Sequence, residues 1–133
     1  VLAEARNAAR RAVRLHHAQL AMPPGEEGRA RAFYAGVLGM TEVAKPPVLA
    51  DRGGCWFRSS WLELHLGAHA EFVPAAKAHP AIVVGHLDEV AARLEAAGHA
   101  VQWDPLFPKH RRFYVHDPFG NRIEFLEPES PVS

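Results

Sequence analysis

The sequence predicts an α+β fold made of two βαβββ modules, in which a unit of one strand, one helix and three strands occurs twice. The order of strand-like and helix-like patterns repeats once along the 133 residues. In each half a histidine is predicted in the first strand and a glutamate in the last. Glu63 follows His17 by 46 positions, and Glu124 follows His79 by 45. The strand patterns also alternate between aliphatic and polar side chains, which is typical of sheets with one buried face.

The first half follows a polar, arginine-rich stretch, residues 1–13, which we interpret as an N-terminal extension with helical propensity. A strand is predicted over LHHAQLAM, and PPG then interrupts the chain. EEGRARAFYAGVLG is predicted to be a helix, because its apolar residues recur at helical spacing, its first turn is acidic and Gly39 suits the position after a helix. Strands around MTEVAK, CWFRS and WLELHLG complete the first module, residues 14–67.

The second module, residues 77–128, repeats this order. HPAIVVGHL is predicted to be a strand and DEVAARLEAAG a helix, with Asp88 as its N-cap and Gly98 at its end. Three further strands are predicted in AVQWDPL, RRFYVH and NRIEFLEP, and the DPFG between the last two fits a type I turn. Residues 129–133 are expected to form a loose tail. The expected organisation is therefore a single domain over residues 14–128.

Composition restricts the class of protein. Fifteen basic and fifteen acidic residues cancel, so no global field favours nucleic acid or an anionic membrane as a partner. The apolar runs are too short to cross a bilayer, which takes about 20 residues. Cys55 is the one cysteine, so no disulfide can form within the chain, and a reducing cytoplasm is the expected location. We interpret Cys55 as an inert strand residue.

Alternation along the strands places a polar set on one face of each half. Leu62, Leu64 and Leu66 share a face that should pack on a helix, and Ile123 and Phe125 do the same in the last strand. The opposite faces collect histidine, glutamine and glutamate side chains, namely His17, Gln19, Glu63, His65, His79 and Glu124. This composition fits a half-enclosed groove better than an exposed sheet face, where Lys, Thr, Ser and Arg are usual.

The polar set is suited to binding a metal ion. Two curved half-sheets related by a pseudo-two-fold axis would bring His17, Glu63, His79 and Glu124 to one point. Two imidazoles and two carboxylates suit one divalent Zn, Ni, Co, Mn or Fe ion. His65 lies two residues after Glu63 on the same face, so it is an alternative ligand in place of Glu63.

Other polar and aromatic residues are assigned less specific roles. Arg58, Arg111 and Arg112 are interpreted as solvated strand residues, although they could reach an anionic substrate. Five aromatic residues are candidates either for a pocket lining or for the core: Trp56, Phe57, Trp61, Trp103 and Phe113.

The chain resembles the vicinal oxygen chelate superfamily, which includes glyoxalases, bleomycin resistance proteins and extradiol dioxygenases. The resemblance covers residues 14–128 and is most specific in HDPFGNRIEFLEP. It implies an open, cupped mixed sheet with the helices outside. It also implies a homodimer, with the cup completed by the second module of the same chain or of a partner. By position, His17, Glu63, His79 and Glu124 match the family's ligands from the first, fourth, fifth and last strands.

This resemblance implies a metal-dependent enzyme acting on a small molecule, either a lyase or isomerase that removes a proton next to a carbonyl, or a dioxygenase. Glu124 or Glu63 would be the base, so removal of either should abolish turnover. Without Glu63, the set of His17, His79 and Glu124 is similar to the 2-His-1-carboxylate triad of iron dioxygenases. The alternative is a binding protein of the bleomycin-resistance kind, a dimer that sequesters a small molecule or antibiotic without catalysis. No clear glutathione-binding set of basic residues is visible, which argues against glyoxalase I activity itself.

Overall fold

The computed structural model describes residues 1–128, apart from the side chain of Ala9. Helix α1 (Leu2–Arg11) comes first, with its described side chains exposed. The first module contains β1 (Ala18–Met22), α2 (Glu27–Arg31), β2 (Thr41–Val43), β3 (Cys55–Ser59) and β4 (Leu62–Ala68). The second contains β5 (Ala81–Val83), α3 (Leu87–Ala96), β6 (Gln102–Trp103), β7 (Arg112–His116) and β8 (Arg122–Leu126). The predicted α+β duplication is confirmed, while the predicted tail, residues 129–133, lies outside the described residues.

Within this part of the chain, each module forms a four-stranded mixed sheet with the same topology. The strand orders are β1-β4-β3-β2 and β5-β8-β7-β6. In each sheet the first strand runs parallel to the last, and the other neighbours are antiparallel. This parallel pairing places the start of each module beside its end. Residues 45 positions apart, such as His79 and Glu124, can therefore be neighbours.

One hydrophobic core joins the two modules. Leu64, Leu66 and Ile123 are fully buried, which confirms the aliphatic faces expected from the alternation. The helical segments contribute Phe33, which follows α2, and Leu94 of α3 to this core. Burial of side chains of this size contributes about 1.5–3 kcal/mol each. The polar faces of the sheets are directed away from this core.

A buried polar network links the modules at the turn between β7 and β8. The Asp117 carboxylate accepts hydrogen bonds from the Tyr34 hydroxyl (2.7 Å), from the N–H groups of Phe119 (2.9 Å) and Asn121 (2.8 Å), and from the Asn121 side-chain amide (2.8 Å). The same amide donates to the carbonyl of Ala21 in β1 at 2.8 Å. The first-to-fourth hydrogen bond expected of the DPFG turn is present at 3.1 Å. Asp117 and Asn121 of the specific motif are thus used by the fold itself.

The helix predicted over EEGRARAFYAGVLG differs from a regular α-helix. It is α-helical over Glu27–Arg31 and continues as a π-helix over Ala32–Val37. A π-helix has a wider turn than an α-helix. In this segment two adjacent aromatic residues, Phe33 and Tyr34, are both buried. A short 3₁₀ helix, Pro47–Arg52, follows the Pro-Pro break before β3.

The predicted N-cap of α3 is wrong. The helix begins at Leu87 with His86 at the cap position, so Asp88 lies inside the first turn. An acidic residue there still interacts favourably with the helix dipole. The Asp88 carboxylate pairs with the guanidinium of Arg111 at 3.0 Å instead of capping the helix.

Several strands are also shorter than predicted. β1 begins at Ala18 and β5 at Ala81, so His17 and His79 both precede the strands that were expected to contain them. Across residues 1–128, helices that combine the length and the apolar character needed to cross a membrane are absent.

Candidate functional site

The polar face of the second sheet brings His79 and Glu124 into direct contact. Nε2 of His79 is 2.9 Å from Oε1 of Glu124. Nδ1 of His79 is 2.8 Å from the carbonyl oxygen of Lys77. Because a carbonyl oxygen only accepts hydrogen bonds, Nδ1 carries the proton and Nε2 faces the carboxylate. The Glu124 side chain is 5% exposed and that of His79 is 22% exposed, so the pair is open to solvent mainly at the imidazole.

Arg112 orients the other oxygen of Glu124. Its Nη1 donates to Oε2 of Glu124 at 3.2 Å, and its Nη2 donates to the Asp104 carboxylate at 3.4 Å. The Arg112 side chain is 16% exposed, so its interpretation as a solvated residue is wrong. β7 pairs with β8, and alternation along β7 puts Arg112 on the same face as Tyr114. That alternation was the signal in the sequence that could have identified Arg112.

Glu63 in the first sheet has a similar environment. Its Oε1 is 2.9 Å from Nε2 of His65, and its Oε2 is 3.0 Å from Nη2 of Arg58. The hydrogen bonds from His65 and then from Arg58 hold the pKa of Glu63 below its usual value. Burial lowers the pKa of His65, which favours its neutral ring. Each half therefore contains a glutamate whose two oxygens contact a histidine and an arginine.

His65 lies at the centre of a stack of three rings. The Trp56 ring is 3.7 Å away on one side with an interplanar angle of 3°, and the His17 ring is 4.0 Å away with an angle of 14°. Trp56 and His65 are directly opposite each other in β3 and β4. His17 is exposed, and its Nδ1 is 2.9 Å from Nδ1 of His16. The three rings thus form one column on the polar face of the first sheet.

The structure divides the predicted ligands between the two sheets. His17, Glu63 and His65 lie together on the first sheet, and His79 and Glu124 lie together on the second. Within a single chain, residues 1–128 contain no group of three or more His, Cys, Asp or Glu side chains placed to hold one metal ion. Within one chain the four predicted ligands thus form two separate pairs, a first half (His17 and Glu63) and a second half (His79 and Glu124).

The chemistry of the second half fits a metal ion. In octahedral coordination, two adjacent ligand atoms that are about 2.1 Å from a divalent ion lie about 3 Å from each other. The 2.9 Å separation of His79 Nε2 and Glu124 Oε1 matches this value. Two acceptors at that distance repel unless a cation, either a proton or a metal ion, lies between them. The Lys77 carbonyl and Arg112 contact the outer atoms of the pair, as the supporting residues of metal sites do.

A recess of about 420 Å³ opens beside His79, between β1 and the second module. This volume lies in the range usual for small-molecule sites. The side chains around it include Gln19, which is exposed, and Arg122. Arg122 lies two residues before Glu124 on the same face of β8, as alternation predicts, but it was not among the predicted site residues.

The five candidate aromatic residues have different roles. Phe57 and Phe113 are fully buried core residues, and Trp61 is 94% exposed near the tip of the β3–β4 hairpin. Trp56 stacks on the polar face of the first sheet, and Trp103 lines a smaller recess of about 260 Å³ next to the polar face of the second.

Two mixed sheets of identical topology, each with a His–Glu–Arg cluster on its polar face, define a duplicated βαβββ protein. The chain belongs to the Glyoxalase/Bleomycin resistance protein/Dioxygenase superfamily, whose profile matches residues 14–125. The predicted resemblance is therefore confirmed.

Solved structures share this fold. A glyoxalase family protein from Bacillus anthracis is 47% identical, with a TM-score of 0.84 over 87% of this chain and 95% of that chain. A lactoylglutathione lyase from Agrobacterium tumefaciens is 23% identical, with a TM-score of 0.64 over 90% and 95% of the two chains. The antibiotic-binding protein TnmS3 from Streptomyces sp. CB03234 is 23% identical, with a TM-score of 0.65 over 88% and 98%. At 23% identity, the similarity to the last two proteins shows a common fold and no more. Comparison with curated proteins found no match.

Proposed function

We propose that the protein is an enzyme that uses one divalent metal ion to remove a proton next to a carbonyl group of a small molecule, as a lyase or an isomerase. The observation that carries this proposal is the contact of His79 with Glu124, in which a ring nitrogen and a carboxylate oxygen 2.9 Å apart are both oriented by further partners. The recess beside His79 has room for a small substrate.

We further propose that a second copy of the chain completes the site. His17 and Glu63 of one copy would join His79 and Glu124 of the other, with His65 as the alternative to Glu63. The separation of the two halves within one chain supports this arrangement. A homodimer would then contain two equivalent sites.

The residues of this chain would divide the chemical work. A divalent cation at the site would stabilise the negative charge that develops on neighbouring substrate oxygens when the proton leaves. We propose that Glu63 acts as the base in addition to binding the metal ion, because its side chain is 14% exposed whereas that of Glu124 is 5% exposed. Glu124, fixed by His79 and Arg112, is suited to act as a ligand.

Metal analysis of protein purified without chelators tests the proposal. We expect one Zn, Ni, Co, Mn or Fe ion per chain, measured by inductively coupled plasma mass spectrometry. His79→Gln and Glu124→Gln should each lose the ion, because either change removes one of the paired ligand atoms. Glu127→Gln is a matched control, since Glu127 pairs with Arg111 at 3.4 Å and does not contact the His79–Glu124 pair. Wild-type protein that binds none of these ions, even after dialysis against them, would refute the proposal.

Subunit mixing tests the second copy. His17→Gln damages the first half of a site and Glu124→Gln damages the second half. If sites are shared between copies, a mixed dimer of these two variants contains one intact site, so co-refolding should restore metal binding to a fraction of the chains. If each site lies within one chain, mixing restores none.

The stack of Trp56, His65 and His17 favours a second candidate function, the binding of a planar small molecule without catalysis. This function would be supported instead by metal-free protein whose tryptophan fluorescence is quenched by aromatic small molecules in the wild type but not in Trp56→Phe.

A further inference from the structure

We propose that Arg122 selects the substrate and that the site accepts a small molecule with an anionic group, namely a carboxylate, phosphate or phosphonate. The Arg122 guanidinium would bind this group beside the His79–Glu124 pair. This inference deepens the proposed function and rests on it.

Arg122 is placed to reach a molecule bound at the pair. It lies two residues before Glu124 on the same face of β8, and the strand rise of about 3.3 Å per residue separates their Cα atoms by about 7 Å. Arg122 lines the 420 Å³ recess together with His79. It also lines the 260 Å³ recess together with Trp103 and Tyr114. The side chain is therefore accessible from two cavities that adjoin the candidate site.

The charge of Arg122 lacks the compensation that Arg58 and Arg112 have. Arg58 pairs with Glu63 at 3.0 Å, and Arg112 pairs with Glu124 at 3.2 Å. Arg122, by contrast, has no carboxylate within 4.0 Å among residues 1–128. It carries an unbalanced positive charge in a half-buried position, and an anionic ligand would supply the missing partner.

The ring of Tyr114 fixes the orientation of this cation. The guanidinium carbon of Arg122 lies 3.8 Å from the centroid of the Tyr114 ring. A guanidinium that lies on an aromatic face leaves its N–H groups available at its edge. That edge matches two oxygens of a carboxylate, phosphate or phosphonate, which an arginine can bind through two parallel hydrogen bonds. Lysine would supply the charge without this geometry.

The test uses the full chain with methylphosphonate and acetate as anionic probes and acetamide as the neutral counterpart of acetate. Binding is followed by nuclear magnetic resonance of the backbone and arginine Nε–H signals, first in metal-free protein. We expect saturable shifts around Arg122 with an anion and none with acetamide. Arg122→Gln should weaken anion binding by about ten-fold or more, and Arg122→Lys should recover part of it.

Arg111→Gln is the matched control, because Arg111 pairs with Asp88 and Glu127 and lines neither recess. It should leave the dissociation constant within about two-fold of the wild-type value. Methylphosphonate that binds more tightly than acetate would indicate a phosphonate or phosphate substrate. The reverse order would indicate a carboxylate substrate.

The outcomes separate this inference from the proposed function. If the wild-type protein binds the anions but no metal, and Arg122→Gln loses anion binding, the anion site is supported and the metal enzyme is refuted. A wild-type protein that binds metal but no anion would refute the anion site alone. Anion binding that is unchanged in Arg122→Gln, or acetamide binding as tight as acetate binding, would also overturn the role of Arg122.

Discussion

Replacement of Tyr34 by phenylalanine should lower the free energy of unfolding by about 1.5–3 kcal/mol, the usual contribution of a hydrogen bond to a charged group. The Tyr34 hydroxyl donates to Oδ2 of Asp117 at 2.7 Å, and the two residues are 0% and 4% exposed. In the variant Asp117 keeps its hydrogen bonds from Phe119 and Asn121, so its carboxylate is not left unpaired. The ring that stacks on Phe57 at 5.3 Å is retained, so the loss should reflect the hydroxyl alone.

Equilibrium unfolding in urea measures this change, at one fixed protein concentration because a dimer would make stability depend on concentration. A chain of 133 residues has an unfolding entropy of about 0.28 kcal/mol/K, so Tm should fall by about 5–11 °C. Tyr114→Phe is the control: Tyr114 is 8% exposed, and its hydroxyl makes no hydrogen bond within residues 1–128. Its cost should stay below about 0.5 kcal/mol. Equal losses in the two variants would show that the hydrogen bond between Tyr34 and Asp117 does not stabilise the fold.

Three further changes test other parts of the structure. Gly54→Ala should lower the free energy of unfolding in urea by about 1–3 kcal/mol more than Gly98→Ala does. Both glycines have positive φ, at 81° and 89°. A Cβ at Gly54 would lie 2.0 Å from the Leu66 carbonyl oxygen, whereas a Cβ at Gly98 would meet open space. Leu64→Ala should cost about 2–5 kcal/mol in the same assay, because it leaves a cavity at a fully buried position. Burial raises the pKa of Cys55 to about 11, so at pH 8 the folded protein should react with a thiol reagent at least about 100-fold more slowly than protein in concentrated urea; similar rates in the two states would contradict the buried thiol.

The parts of the fold that depend on local periodicity could be predicted from the sequence. Alternation identified the buried face of β4, where Leu64 and Leu66 are fully buried, and the repeated order of elements identified the two modules. The contact of His79 with Glu124 was also accessible, because a βαβββ unit places its first strand beside its last. Their binding of a metal ion remains a prediction.

Features that depend on packing between elements could not be predicted from the periodicity of the sequence. The separation of His17 from the His79–Glu124 pair follows from how two sheets pack in one chain, which periodicity does not encode. The pairing of Arg112 with Glu124 was missed because arginine in a strand usually lies in solvent. Asp88 has the right residue type for a cap, but the helix begins one residue earlier, at Leu87, and the carboxylate pairs with Arg111, 23 positions away.

The turn between β7 and β8 also bears on what holds the two repeats together. Asp117 accepts a hydrogen bond from Tyr34, and Asn121 donates one to Ala21. The second repeat is therefore bound to the first by side-chain hydrogen bonds as well as by the peptide that joins them. The covalent link over residues 69–80 is then not the only bond between the repeats. We expect two polypeptides from a gene split within that link to assemble, because these hydrogen bonds and the shared core join the repeats.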